Sequence, residues 1–288
     1  MKYFWGWYET EKEMEEAIPA LLDWSTERRQ RPISLGDELD DETIDEIEPY
    51  HQLIDKIGNE RFYFEMLIEN FHDVFQAISD TKKESKKIKD ITPYIRKVHR
   101  LFLNALGSMY IYMGHIQHYS NVDTKALRDN HSLYKFLHDL RTFSIHDALP
   151  IIELRSSSKT MQFIIVKDAI LQSEFKYWGS QAKDAFFEIL CHMSDEIDLQ
   201  ILIQDAVNLF TKFHVESLRE RQDAIITAQL FYDRFARKSE KGCQYPYAFA
   251  FDGEKTVKCV GSLGVFVNEI RIALDQLGID AYVDEVIS

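Results

Sequence analysis

Apolar residues recur along most of this chain at intervals of three and four, the spacing that gathers them on one side of an α-helix. The clearest run is Phe102, Leu106, Met109, Met113 and Ile116, a seam suited to packing against another helix in a bundle. Thr92-Pro93 before it reads as an N-cap followed by proline at the first helical position. Upstream, Met14, Ile18, Leu21 and Leu22 predict a helix over residues 10–29, interrupted near Pro19. Residues 44–57 and 61–78 form two further amphipathic segments divided at Gly58-Asn59, the second rich in aromatics (Phe62, Tyr63, Phe64, Phe71 and Phe75). A helix over residues 123–148 carries Leu133, Phe136, Leu137, Leu140 and Phe143 on its apolar side and stops at Pro150. Helical spacing resumes at Ser180, read as an N-cap. It continues over residues 194–237 in two helices and ends with residues 263–277, closed by Gly278.

Two stretches depart from that period. Residues 151–155 and 160–166 are β-prone around Ser156-Ser157-Ser158-Lys159, and residues 247–251 and 255–260 flank Asp252-Gly253, a strong hairpin signal. The expected fold is therefore mainly α, a helical bundle with two small β-hairpins. The expected organisation is a helical appendage with an acidic linker over residues 1–40, the bundle over 41–240, and a hairpin plus helix over 241–288 packed on it. No internal repeat of fixed period is present.

Composition narrows the function classes. Of 288 residues, 45% are hydrophobic and 28% charged, an ordinary mixture for a folded, soluble protein. Lys and Arg number 34 against 48 Asp and Glu, a net charge of -14, which argues against coating nucleic acid by bulk electrostatics. Acidic residues crowd positions 37–48. A local basic run, Lys82, Lys83, Lys86, Lys87 and Lys89, then Arg96, Lys97 and Arg100, offers a weak RNA-binding patch, although a solvated loop is the commoner use of such a run. The aromatic start, Tyr3, Phe4, Trp5, Trp7 and Tyr8, is expected to dock on the bundle in preference to stacking on bases.

Cys191, Cys243 and Cys259 are odd in number and lack Cys-x-x-Cys spacing, so neither a disulfide framework nor zinc is expected and a reducing cytoplasm fits best. His115 and His118 stand three apart with no acidic or Cys partner at helical spacing, which favours a core or boundary pair over a metal site. The first residues lack the uninterrupted apolar core of a signal peptide, so none is expected, and the longest oily stretch, residues 101–116, is broken by Asn104 and His115. No membrane association, metal or cofactor is expected. Glycine-rich phosphate loops, nucleophile elbows and His-Glu-x-x-His are absent from the sequence.

The candidate chemistry lies in His138-Asp139-Leu140-Arg141-Thr142-Phe143-Ser144-Ile145-His146. At ~100° per residue, with Arg141 at zero, His138 falls near ~60°, Thr142 near ~100° and His146 near ~140°, one polar arc opposite Leu133, Leu137 and Leu140. Attack of a ribose 2′-hydroxyl on the adjoining phosphate needs a proton carrier near neutral pH and a cation to hold the phosphate. Histidine and the forked guanidinium suit those two roles, without a metal. The plain alternative is a solvated face on which Asp139 and Asp147 pair with Arg141 and His146.

Arg141 and His146, with Leu149-Pro150 at the helix end, resemble the Arg-(four to six residues)-His motif of the HEPN superfamily, helical proteins that include metal-independent ribonucleases. The resemblance covers residues 120–152. Where the family usually has Asn, Asp or His after the arginine, this chain has Thr142. The resemblance implies a metal-independent endoribonuclease with Arg141 and His146 as catalytic residues and His138 and Thr142 supporting them. It also implies a homodimer with the site at its interface, a bacterial toxin–antitoxin or phage-defence role, and a neutralising or activating protein partner. The alternative function is a catalytically inactive helical interaction or ligand-sensing module.

Overall fold

The structure, a computed structural model, describes residues 2–8, 33–39, 41–84, 90–120, 122–146, 152–156, 161–176, 178–235, 237–239, 242–244, 247–251 and 257–279. The helix expected over 10–29, Lys86, Lys87, Lys89, Asp147, Pro150 and the Asp252-Gly253 turn lie outside these residues. In chain order come β1 (Lys2–Tyr8), β2 (Ile33–Leu39), α1 (Asp41–Glu84), α2 (Thr92–Tyr119), α3 (Thr124–Asn130) and α4 (Ser132–His146). Next are β3 (Ile152–Ser156), β4 (Met161–Val166), α5 (Lys167–Leu171), α6 (Ser180–His192), β5 (Glu196–Asp198) and α7 (Leu199–Arg219). Last are α8 (Gln222–Asp233), β6 (Arg237–Ser239), β7 (Gly242–Gln244), β8 (Tyr247–Phe251), β9 (Val257–Ser262) and α9 (Leu263–Gln276). The protein is mainly α, and none of its described helices is long and apolar enough to cross a membrane.

The chain divides into two compact units, residues 1–58 with 218–288, and residues 59–217. This differs from the boundaries expected at 40 and 240, because both ends of the chain share one antiparallel sheet of order β2-β1-β8-β9. The aromatic start is thus a strand, with Trp5 opposite Ala248. Its backbone finds partners only in β2 and in β8, far along the chain, so local pattern could not reveal the pairing. Gly6 falls where the register with β2 shifts, as befits a bulge. In this unit Ile54, Ile57, Leu218, Ile225, Val267, Ile270 and Leu274 form a buried core. Tyr50 packs on Phe231 at 4.6 Å between ring centroids. Gly278 closes α9 with φ 70°, a left-handed stop that glycine adopts without strain, and the N–H of Ile279 returns to Leu274 O at 2.9 Å.

The second unit is built on the α2 seam. Phe102, Leu106, Met109, Met113 and Ile116 are all buried, in one cluster with Leu67 and Phe71 of α1, Phe136 and Leu140 of α4, Phe186 of α6 and Phe210 of α7. The expected hairpin after Pro150 is present as β3 and β4, extended by β5. His99 Nε2 accepts the N–H of Ile152 at 2.9 Å and ties β3 to α2. That acceptor role requires the imidazole to be neutral, with its proton on Nδ1.

Four local expectations change. α1 runs unbroken through Gly58. An interior glycine costs a helix only about 1 kcal/mol, and buried Ile54 and Ile57 before it and Leu67 and Phe71 after it outweigh that. The helix expected over 123–148 is two, because the extended backbone of His131, φ -121° and ψ 99°, separates α3 from α4. Ser180 is the first residue of α6 and Gly179 its N-cap. Ile91 takes the N-cap position of α2, while Asp90 accepts the N–H of Thr92 at 2.9 Å, a bond that holds its carboxyl below the usual carboxylate range.

Asp123 caps α3, its Oδ1 accepting the amides of Lys125 and Ala126 at 3.0 Å each. Asp123→Ala is expected to destabilise the fold by about 1 kcal/mol, the usual cost of a lost N-cap. Urea melts with an unchanged slope and a lower midpoint would show it, and an unchanged midpoint would refute it.

Candidate functional site

Helical spacing assembles the site from three short pieces of the second unit. α4 presents Tyr134, His138 and Arg141 at intervals of four and three, hence on one face. α2 contributes Tyr110, Met113, Gly114 and Gln117, again on one face, and α3 contributes Thr124, Lys125 and Arg128. With Tyr134 and His138, these side chains from α2 and α3 line a cavity of about 260 Å³.

Arg141 is not among the residues that line the cavity, but touches one of them, Tyr110. Its guanidinium carbon lies 3.8 Å from the centroid of the Tyr110 ring, and its buried Nε–H has no acceptor among the described residues. Stacking occupies the face of a guanidinium and leaves its in-plane N–H groups directed outward, the edge that grips carboxylate or phosphate. His138 Nδ1 is 3.1 Å from Asp139 Oδ1, and its ring sits edge-on to Tyr134. Asp139 therefore partners His138, not Arg141 as the solvated-face alternative supposed. Thr142 donates its hydroxyl to the carbonyl of its own helix at His138, 3.1 Å away. That bond spends its proton on the backbone. His146 is the last residue of α4, five positions beyond Arg141, and its side chain is outside the described residues.

Burial pushes the Tyr134 phenol up to about 12, with the charge of Arg128 opposing. It stays protonated at neutral pH, a donor in the cavity wall. Since its folded value exceeds the unfolded value near 10, the stability linked to the neutral phenol is complete below pH ~10 and is lost as pH rises through ~12. Tyr134→Phe is expected to flatten the fall in urea midpoint over that alkaline window; an equal fall in both proteins would contradict it.

The described residues of the basic run do not join this site. Lys82 donates to Gln200 at 2.6 Å, Lys83 lies 3.7 Å from Asp80, and neither lines the cavity. Arg96, Lys97 and Arg100 are exposed on α2. His115 is buried between the rings of Tyr63 and Tyr119, at 4.9 and 4.4 Å, and His118 meets Tyr119 edge-on. Among the described residues no group of three His, Cys, Asp or Glu side chains is placed to hold a metal.

A second polar cluster is wholly interior. Glu60 is 0% and His214 1% exposed. Glu60 lies 3.2 Å from His214 Nδ1 and accepts the Ser217 hydroxyl at 3.2 Å, while Phe64 stacks on the imidazole at 4.1 Å. The serine faces the carboxylate in this arrangement.

Tyr110, Lys125, Arg128 and Tyr134 were not singled out in the sequence. The available signal was the spacing of Tyr110, Gly114 and Gln117 on the flank of the α2 seam, with a glycine where a side chain would fill space. Compared with protein-family models, with curated proteins and with solved structures, the chain matches none.

Proposed function

We propose that the protein is a HEPN-like, metal-independent endoribonuclease in which Arg141 holds the scissile phosphate and His146 transfers the proton. What chiefly supports this is the posture of Arg141: its guanidinium is stacked on Tyr110, itself part of the wall of a cavity that also includes Lys125, Arg128 and His138, and its buried Nε–H has no acceptor among the described residues. His138 contributes a positioned imidazole and Thr142 fixes the local helix. One Arg-His pair is a poor acid–base set, so the working unit is a homodimer in which two α4 ends face each other. Such a contact would cover Ile145, which is 56% exposed beside His146. The chain then acts on RNA in the cytoplasm, in toxin–antitoxin or phage-defence biology, under a neutralising or activating protein partner.

The test is cleavage of a mixed RNA pool in EDTA by the purified chain, with Arg141→Ala and His146→Ala alongside and their folding checked by circular dichroism. Cleavage by the parent that both substitutions slow by about a hundredfold or more is the expected result. An inert parent, or variants that cut equally well, overturns it. The cavity favours the second reading, a ligand-sensing module without catalysis, in that outcome.

A further inference from the structure

In a chain of net charge -14, the wall of the cavity between α2, α3 and α4 holds Lys125, Arg128 and the imidazole of His138, and no carboxylate. The acids beside them in sequence are engaged at its margins: Asp123 on the α3 amides, Asp129 3.6 Å from Arg128 Nε, Asp139 on His138. Burial keeps the Tyr134 phenol protonated, so it too can donate to an anion. A local excess of positive groups and donors on an acidic protein selects an acidic ligand.

Two features say what kind of acidic ligand fits. Lys125 and Arg128 stand three apart on the 7-residue α3, a single point of positive charge and not a track. A polyanion needs cations along its path, whereas one or two carboxylates need only this pair. The cavity, about 260 Å³, is also smaller than the roughly 300–1,000 Å³ that enclose a whole small molecule, and suits one anchoring side chain of a larger partner. Its rim can carry the rest of such a partner. Tyr110 and Ile111 are half exposed side by side on α2, and a Cβ added at Gly107 or Gly114, one turn to either side, would meet nothing within 4 Å. A second backbone can therefore lie close along this helix, with an apolar side chain against Ile111.

We infer that this surface docks an acidic segment of a protein partner. Its Asp or Glu side chain enters the cavity against Lys125 and Arg128, and a neighbouring apolar side chain covers Tyr110 and Ile111. A segment seated there sits on the ring that holds the Arg141 guanidinium. That the partner thereby regulates cleavage rests on the nuclease proposal; the docking itself does not.

The probes are short synthetic peptides in which Asp-Glu pairs stand before, after or on both sides of a Leu, Phe or Trp, each matched by a copy carrying Asn and Gln instead. Binding to the full chain is read by fluorescence polarisation. At least one acidic peptide is expected to bind about tenfold or more tighter than its amide copy, with an affinity that falls as salt rises. Arg128→Glu should weaken that peptide by about tenfold or more. The same variant should bind a copy with Lys in place of Asp and Glu more tightly than the parent chain does, an exchange that damage to the fold would not produce. Gly114→Leu reaches into the cavity without crowding the core and replaces a poor helix former with a good one. It should abolish binding with the urea midpoint kept or raised.

The inference is overturned if no acidic peptide binds more tightly than its amide copy, or if Gly114→Leu binds the acidic peptide like its parent. It is equally overturned if a 2′-O-methylated single-stranded RNA binds here, with the same loss in Gly114→Leu, and no peptide does. Every readout is of binding, so the result stands whether or not the chain cleaves RNA.

Discussion

Glu60→Ala is expected to cost the fold about 3–5 kcal/mol, more than any single surface change in this chain. The carboxylate is fully buried, faces His214 at 3.2 Å and takes the Ser217 hydroxyl at 3.2 Å. Removing it strips an imidazole and a hydroxyl, both nearly or fully buried, of an acceptor that water cannot replace. It also opens a gap beside Phe64, which stacks on His214. Glu60→Gln keeps the shape and one acceptor oxygen, so its loss should be smaller, about 1–3 kcal/mol. Ser217→Ala deletes only one donor and should cost least of the three. Urea unfolding read at constant slope ranks them. If Glu60→Ala lies within about 1 kcal/mol of the parent, the cluster is not a structural element of the second unit.

The contrast between that cluster and the helices shows what a linear pattern can reveal. Phe102, Leu106, Met109, Met113 and Ile116 are legible because helical spacing is a local property, and each is buried as its position requires. The same holds for the hairpin after Pro150 and for Gly278, where two or three neighbouring residues decide the backbone. Glu60, His214 and Ser217 meet across more than 150 positions of chain, and nothing in either flanking sequence marks the meeting. β1 is a similar case: Tyr3, Trp5 and Trp7 are apolar enough for a strand or a docked tail, and only pairing with β8 distinguishes the two.

The site was legible to the same degree. Spacing on one helix singled out Arg141, His138 and Thr142 as candidates, and the structure adds what they touch: Tyr110 for Arg141, Asp139 for His138 and the backbone for Thr142. The polar arc placed Thr142 beside Arg141, but a hydroxyl on a helix commonly bonds the carbonyl four residues back, as Thr142 does. Tyr110, which holds the Arg141 guanidinium, comes from α2, and Lys125 and Arg128 come from a separate helix because the chain breaks at His131. A wheel drawn for one uninterrupted helix cannot show a wall made by three.

If the proposed nuclease reading holds, His146→Ala is expected to slow RNA cleavage in EDTA by about 10²–10⁴-fold, the range a general acid or base supplies. Arg141→Ala should fall in the same range, since an unclamped phosphate must develop charge without its cation. Arg141→Lys separates charge from geometry. Lysine keeps the positive charge but loses the planar fork and the flat contact with Tyr110, so its rate should lie nearer alanine than arginine. Tyr110→Leu should act as a weaker version of the Arg141 changes, through the freedom it gives the guanidinium. A lysine variant as fast as the parent would mean that charge alone suffices and that the stacked posture of Arg141 has no part in catalysis.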